Sequence, residues 1–166
     1  AVGYQAGTAI TTGGSNVLIG KGAGSAETTV NNTVFIGALA GDAVTVTGGS
    51  GVSDGTVGIG AQSLGALTSG SGNVAVGWQA LATEDTGSGN TALGYQALET
   101  LDNSNGYNIA IGYEAMQGCA DAYYTIAIGK DAGKNISGTR GTNVIIGHEA
   151  GNGAITTDGL ILIGRS

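Results

Sequence analysis

Proline is absent from the 166 residues, and charged side chains account for only 10% of them. A collagen triple helix needs abundant proline and a glycine at every third position, so this class is excluded. Intrinsic disorder combines low hydrophobicity with high charge or abundant proline, whereas 41% of this chain is hydrophobic. No run of 18 apolar residues is present, so we predict no membrane-spanning helix and no membrane insertion.

Cations, histidine and cysteine are also scarce. Five Lys and Arg residues stand against 12 Asp and Glu residues, which gives a net charge of −7. Nucleic-acid interfaces and anionic membranes both require clustered cations, so neither partner is expected. His148 and Cys119 are the only residues of their types, so one chain offers no multi-histidine metal site and no intrachain disulfide. We therefore expect no cofactor and no enzymatic activity, although three copies of His148 about a symmetry axis would still form a three-histidine site.

Glycine is abundant, with 34 residues, and it recurs with a regular period. An interior glycine costs a helix about 0.8–1 kcal/mol relative to alanine, which argues against a helical protein. Ten glycines each follow an aliphatic residue at intervals of 17 or 18 residues, with one interval of 23. These key glycines are Gly3, Gly20, Gly37, Gly60, Gly77, Gly94, Gly112, Gly129, Gly147 and Gly164. The period predicts an all-β parallel solenoid of about ten coils.

Three strand-forming residues precede each key glycine. The first and third are aliphatic in nearly every copy and share one face of the strand, while the middle residue faces the other way. The middle column is also apolar, and in the central copies it is small: Ala75, Ala92, Ala110 and Ala127. A strand that is apolar on both faces needs two neighbours. We therefore predict self-association with the alanine column in the interface; a single wider solenoid that covers both faces is the alternative.

The residues after each key glycine form a second pattern. The third position is alanine in eight of nine copies, and the fourth is glycine or a large apolar residue, which predicts a corner with a small residue turned inward. A second, shorter strand is predicted in copies such as 9–12 and 154–157.

Three central units carry a family resemblance: Asn73–Leu81, Gly89–Leu98 and Asn108–Met116. They resemble the repeats of trimeric autotransporter adhesin heads and of phage tail fibres that often precede an intramolecular endosialidase-type chaperone. The resemblance implies a left-handed parallel β-roll packed as a homotrimer, with the alanine column facing the trimer axis. The units are longer here than in adhesin heads, and some copies lack the consensus Asn, with Thr33, Thr56, Thr125 and Leu160 in its place.

Residues 1–166 are expected to form a single repeat domain. Both ends interrupt the repeated motif, so we expect the sequence to be a fragment of a longer extracellular fibre on a virion tail or a bacterial surface. The long interval carries an insertion at 42–55. Variable loops on a rigid scaffold often carry binding, so this insertion, including Asp54, is a candidate for receptor recognition.

Aromatic residues follow the key glycines of three successive copies, as Trp78, Tyr95 and Tyr113. Aromatic rings beside amides and carboxylates can bind sugars, which makes these residues candidate contacts for a cell-surface glycan or an outer-membrane receptor. The alternative is a structural ladder in which the rings stack along the rod. We favour the ladder, because the column repeats with the fold.

The predicted function is a structural and adhesive fibre segment that attaches to a host or target cell. A polysaccharide-degrading tailspike-like enzyme is the alternative, but it requires a convergent pair of acids that the sequence does not reveal. An ice-binding solenoid is a third possibility, which would require threonines in one register.

Overall fold

The computed structural model describes residues 1–26, 29–43, 54–84, 86–101, 106–136, 141–153, 155 and 157–165. Residues 44–53 of the predicted insertion therefore lie outside the described residues, as do positions 154 and 156 of the second predicted strand. Nine short strands are present, and they form one sheet. They are β1 (Val17–Ile19), β2 (Val34–Ile36), β3 (Val57–Ile59), β4 (Val74–Val76), β5 (Thr91–Leu93), β6 (Ile109–Ile111), β7 (Ile126–Ile128), β8 (Val144–Ile146) and β9 (Ile161–Ile163).

The sheet confirms a β-solenoid with a repeat of about 17 residues. Every strand pairs in parallel with the next strand in sequence, and equivalent residues of successive repeats lie opposite each other. The first copy contributes only an isolated bridge between Val2 and Ile19, so the described chain has nine strands where about ten coils were expected. At a strand spacing of about 4.8 Å, the nine strands span roughly 4 nm.

Each repeat contains one strand within the described residues. Ile10, Thr11 and Thr12 are not extended, so the prediction of a second strand at 9–12 is wrong. The chain there turns with local hydrogen bonds, such as the one from the Ile10 amide to the Gly7 carbonyl at 3.3 Å. No helix within the described ranges is long and apolar enough to cross a membrane.

The middle residue of each strand faces the interior of the chain's own coil. Ala75, Ala92, Ala110 and Ala127 are fully buried in the single chain. The prediction that the alanine column forms the interface between copies, or faces a trimer axis, is therefore wrong. The two flanking columns face outward instead: of their eighteen residues in the nine strands, none is buried.

Three of the four alanines share their coil with a large buried residue at the corner. In copies with Gly58, Ala75, Ala92 or Ala110 at mid-strand, the fourth residue after the key glycine is a buried Leu or Met. Where mid-strand is Leu18 or Phe35, that corner residue is glycine, and a Cβ at Gly41 would lie 2.8 Å from the Phe35 ring. Protein interiors are densely packed, so a large side chain at one of these two positions requires a small one at the other. The large corner residues are Leu64, Leu81, Leu98 and Met116.

The key glycines are required because their φ is positive and because a side chain would clash with the next coil. Gly94 has φ +144, and a Cβ built on it would lie 2.2 Å from the carbonyl oxygen of Gly112 in the next coil. The other key glycines also have φ between +130 and +144, a region that side chains rarely adopt. The predicted roles of these glycines, an unusual backbone conformation and close approach of coils, are confirmed together. The predicted corner is also confirmed, since the third residue after them is buried from Ala23 to Ala150.

A buried polar ladder enters the core just before the strands. The Asn73 Oδ1 atom accepts the Asn90 amide at 2.8 Å, and its Nδ2 donates to the Gly87 carbonyl at 2.8 Å. Asn108 repeats this pattern, with its Oδ1 accepting the Thr125 amide at 3.1 Å and its Nδ2 donating to the Ala122 carbonyl at 2.8 Å. The consensus Asn therefore bonds two backbone groups of the next coil inside the solenoid.

Candidate functional site: the surfaces of the solenoid

The outward face of the sheet is almost entirely aliphatic. Seventeen of its eighteen flanking residues are Val, Ile or Leu, and the exception is Thr91. Side chains such as Val17 and Leu93 remain 44% and 46% exposed. Parallel sheets are normally covered on both faces, so this outward aliphatic face is a feature of the surface that calls for a partner.

The rings of Trp78, Tyr95 and Tyr113 stack along the rod. The Trp78 and Tyr95 centroids are 4.8 Å apart with planes at 22°, and those of Tyr95 and Tyr113 are 5.0 Å apart with planes at 5°. The Lys130 Nζ atom lies over the far face of Tyr113, 5.8 Å from its centroid. Sugars stack on aromatic faces, but both faces of Tyr95 are occupied by its neighbours. The geometry therefore favours the structural ladder over a stacking site for sugars.

A ladder of side-chain amides accompanies the rings. Gln79 donates to Gln62 at 3.1 Å, Gln96 donates to Gln79 at 3.0 Å, and Gln117 donates to Gln96 at 3.1 Å. Gln96 and Gln117 also donate to the two carboxylate oxygens of Glu99, each at 2.7 Å. This amide ladder makes uncharged hydrogen bonds from coil to coil, and it ends at Gln62 because Leu39 holds the equivalent position in the preceding coil.

Carboxylates replace the amides further along the same column, and they pair with cations. Lys134 contacts the Glu114 carboxylate and lies 3.3 Å from that of Asp131, which also accepts Lys130 at 2.8 Å. The hydrogen bond from Lys134, followed by one from Tyr113, holds the pKa of Glu114 below its usual value of 4.5. The cluster is a charged continuation of the amide ladder. Its lysines offset the repulsion between the neighbouring carboxylates.

We expect the Lys134→Met variant to lose part of the acid dependence of stability. Since the pKa of Glu114 is lowered on folding, its contribution is present above its unfolded pKa and is lost as pH falls through the folded pKa. Thermal unfolding from neutral pH to about pH 3 should show the variant less stable near neutrality and converging with the parent in acid. Lys21→Met is the control, because Lys21 forms no ion pair within the described ranges. A constant difference between Lys134→Met and the parent at all pH values would contradict the assignment.

We expect Tyr95→Ala to lower stability by about 1–2 kcal/mol, because it removes two stacking contacts in one step. Urea unfolding followed by the fluorescence of Trp78, the only tryptophan, measures this loss and the changed ring environment. Tyr4→Ala is the control, since Tyr4 is 71% exposed. Loss of glycan or cell binding in a Tyr95→Ala protein of unchanged stability would instead make the rings a contact site.

A second tyrosine stack was missed from the sequence. The rings of Tyr107 and Tyr124 are 5.4 Å apart with planes at 9°, and Tyr123 packs edge-on to Tyr124 at 5.5 Å. Both stacked tyrosines have positive φ, +62 and +49, at a position where four copies have glycine. Aligning the residues before the buried Asn column would have revealed the pair, because Tyr107 and Tyr124 are separated by one repeat.

Asp54 forms hydrogen bonds with backbone amides of the two neighbouring coils. Its Oδ1 atom accepts the Asn31 amide at 2.9 Å, and its carbonyl accepts the Gly72 amide at 3.2 Å. These bonds join three successive coils, so Asp54 has a structural role. Whether the insertion recognises a receptor stays a prediction.

Cys119 and His148 are not brought together with other reactive groups. Cys119 is buried, donates to the Ile136 carbonyl, and has its pKa raised to about 12 by desolvation. His148 Nε2 lies 3.7 Å from the Glu149 carboxylate on the surface. Among the described residues, no group of three or more His, Cys, Asp or Glu side chains is placed to hold a metal ion.

A polar groove of about 360 Å³ opens beside the end of the amide ladder. It is lined by Leu39, Asp42, Gln62 and Gln79 and by three small residues, which are called its floor below. Partial burial raises the pKa of the Asp42 carboxyl group. The floor residues are Gly65, Ala66 and Ala82.

Comparison of the chain with models of known protein families, with curated proteins and with solved structures found no match. The outward aliphatic face, the stacked ladders and the polar groove are therefore the features from which function can be inferred.

Proposed function

We propose that this chain is a structural and adhesive segment of a trimeric extracellular fibre, such as a phage tail fibre or a bacterial surface adhesin. In this role it attaches the fibre to a host or target cell. The observation that carries the proposal is the outward aliphatic face, which the described part of the chain leaves uncovered. The resemblance of Asn73–Leu81 and its neighbouring units to fibre repeats supports copies of the same chain as that body.

The hydrophobic effect supplies the driving force for trimer formation. Seventeen aliphatic side chains form a continuous strip along nine strands, and each retains part of its surface in contact with water. Monomeric proteins rarely expose contiguous apolar patches larger than a few hundred Å². Further burial of a half-exposed side chain such as Leu93 contributes about 1 kcal/mol, and each copy contributes the whole strip.

The rest of the surface is consistent with a stiff rod that has a structural role in the fibre. Nine of the ten key glycines lie so close to the backbone of the next coil that a Cβ would clash with it, and amide, aromatic and ionic ladders link neighbouring coils on the outside. Such nearest-neighbour contacts give a stiff body whose length grows with the number of repeats. We retain the left-handed roll and the three-fold arrangement as parts of this proposal.

The proposal is tested by the attachment of fluorescently labelled chain to a panel of bacterial cells. Three linked copies should bind more tightly than one, by about a hundredfold or more through avidity. Leu93→Lys places a charge in the aliphatic strip and should lose this gain, whereas Thr12→Lys, on an exposed turn, should keep it. Equal cell binding by Leu93→Lys and the parent would contradict an adhesive trimer.

A further inference from the structure

The polar groove beside Gln62 lies where the amide ladder is interrupted. In the nine copies where the structure describes it, the second residue after the key glycine has positive φ, and apart from Leu39 it is Gln, Glu, Asp or Gly. Leu39 is the one apolar member, with φ +57 and 37% of its surface exposed. Its Cδ2 atom lies above Gly22, and the side chain also lines the groove. A glutamine at this position would continue the ladder, so local stability does not explain the leucine.

The floor of the groove breaks a second column. The fifth residue after the key glycine is polar in seven copies, and only Gly65 and Ala82 lack a polar side chain. Gly65 lies outside the left-handed region, and the nearest atom to a Cβ built on it is the Gln62 carbonyl oxygen at 3.3 Å. The backbone therefore does not require glycine at Gly65. The two small residues together leave open the space that Glu99 and Gln117 fill in later coils.

The groups that line the groove define the ligand chemistry. The Gln62 Oε1 atom accepts from Gln79, which leaves the Gln62 Nε2 group toward the missing rung at Leu39. Asp42 supplies an acceptor, and its Oδ1 atom lies 3.8 Å from the Cβ position of Gly65. The described lining contains no cation, so an anionic ligand would be repelled by Asp42.

We propose that this groove binds a neutral saccharide. Gln62 and Gln79 amides are placed to bond its hydroxyl oxygens, Asp42 to accept its hydroxyl protons, and Leu39 to contact the apolar face of its ring. A site with an apolar contact and a few convergent polar groups is typical of small-ligand recognition. The inference rests on the attachment function proposed above, and it places recognition at the groove rather than on the aromatic ladder.

The chain's own repeats supply variants that fill the groove and preserve the fold. Leu39→Gln places the column's usual residue at the missing rung, and it should raise or maintain the unfolding temperature while removing the apolar contact. Ala82→Gln places at the floor the side chain that Gln117 has in a later coil. Asp42→Asn keeps the shape and removes the charge. Asn152→Gln, in the same column and four copies after Ala82, is the matched control.

The experiment is a titration of the ¹⁵N-labelled full chain with short glucose, mannose and galactose oligosaccharides, and with a sialylated oligosaccharide as the anionic arm. We expect at least one neutral oligosaccharide to shift the side-chain amide signals of Gln62 and Gln79. Leu39→Gln and Ala82→Gln should each weaken this binding at least tenfold, and Asn152→Gln should leave it unchanged. The proposal is overturned if no neutral oligosaccharide shifts the Gln62 signal, if both groove-filling variants bind as the parent does, or if the sialylated probe binds as tightly as the neutral ones.

Cell binding by the same variants separates this inference from the attachment function. If Leu39→Gln and Ala82→Gln bind cells as well as the parent does, the groove is not the recognition site, while attachment itself stands. If the trimeric parent binds no cell of the panel but does bind a neutral oligosaccharide in the groove, the attachment proposal fails and the saccharide site stands.

Discussion

Replacing Gly94 with alanine should destabilise the chain by about 3–5 kcal/mol, because a strained φ and a backbone clash act at the same residue. The new Cβ would lie 2.2 Å from the Gly112 carbonyl oxygen, so the two coils must separate. Separation stretches the 2.8 Å hydrogen bonds from Gly112 to Leu93 and from Glu114 to Tyr95. Urea unfolding at fixed protein concentration, followed by Trp78 fluorescence, measures the loss.

Two other glycines distinguish the energetic cost of a positive φ from that of a steric clash. A Cβ at Gly72 meets no atom within 4 Å, but φ is +64, so Gly72→Ala should cost only about 1 kcal/mol. Gly14 has open space and lies outside the left-handed region, so Gly14→Ala should be neutral or stabilising by up to about 1 kcal/mol. If Gly94→Ala were no worse than Gly72→Ala, close coil stacking would not be the reason for the periodic glycines.

Asn108→Ala should destabilise the chain by about 2–4 kcal/mol, because it removes the side chain to which two buried backbone groups are bonded. These groups are the Thr125 amide, now bonded at 3.1 Å, and the Ala122 carbonyl, now bonded at 2.8 Å. Asn108 is fully buried, so bulk water does not reach these groups in the folded chain. Equilibrium unfolding in urea measures the change.

Asn108→Thr is the matched variant, because the chain itself has threonine at the equivalent Thr33 and Thr125. Threonine keeps one hydroxyl donor, as Thr125 shows by donating to the Tyr123 carbonyl at 3.2 Å. We expect Asn108→Thr to lose clearly less stability than Asn108→Ala. Equal losses would mean that the side-chain volume, rather than the hydrogen-bonded ladder, determines the effect.

The period of the key glycines was sufficient to predict the solenoid, because one backbone geometry recurs at each copy. It did not determine which face of the strand lies inside. The alanines at mid-strand look like contact points between backbones, but Leu81 and Leu98 from the corner of the same coil fill the space beside Ala75 and Ala92. The signal was present in the sequence: within most copies, a large residue at one position accompanies a small one at the other.

The groove and the second tyrosine stack depend on neighbours along the rod rather than on the repeat itself. Each arises where one copy departs from its column, as at Leu39, Gly65 and Tyr107. The period reflects only what the copies share. It therefore predicts the scaffold but not the groove or the second tyrosine stack. The aromatic ladder of Trp78 and Tyr95 was visible because it fills consecutive copies, and its geometry favours the structural interpretation made from the sequence.

The mass of the chain in solution tests most directly whether the outward aliphatic face is covered by copies of the chain. Light scattering during size-exclusion chromatography should give three times the chain mass of 16.0 kDa for the parent and for Thr12→Lys. Leu93→Lys should shift the population toward folded monomer, with an unchanged β-sheet signal in circular dichroism. A parent protein that stays a monomer at high concentration, with its aliphatic face exposed to water, would contradict the account.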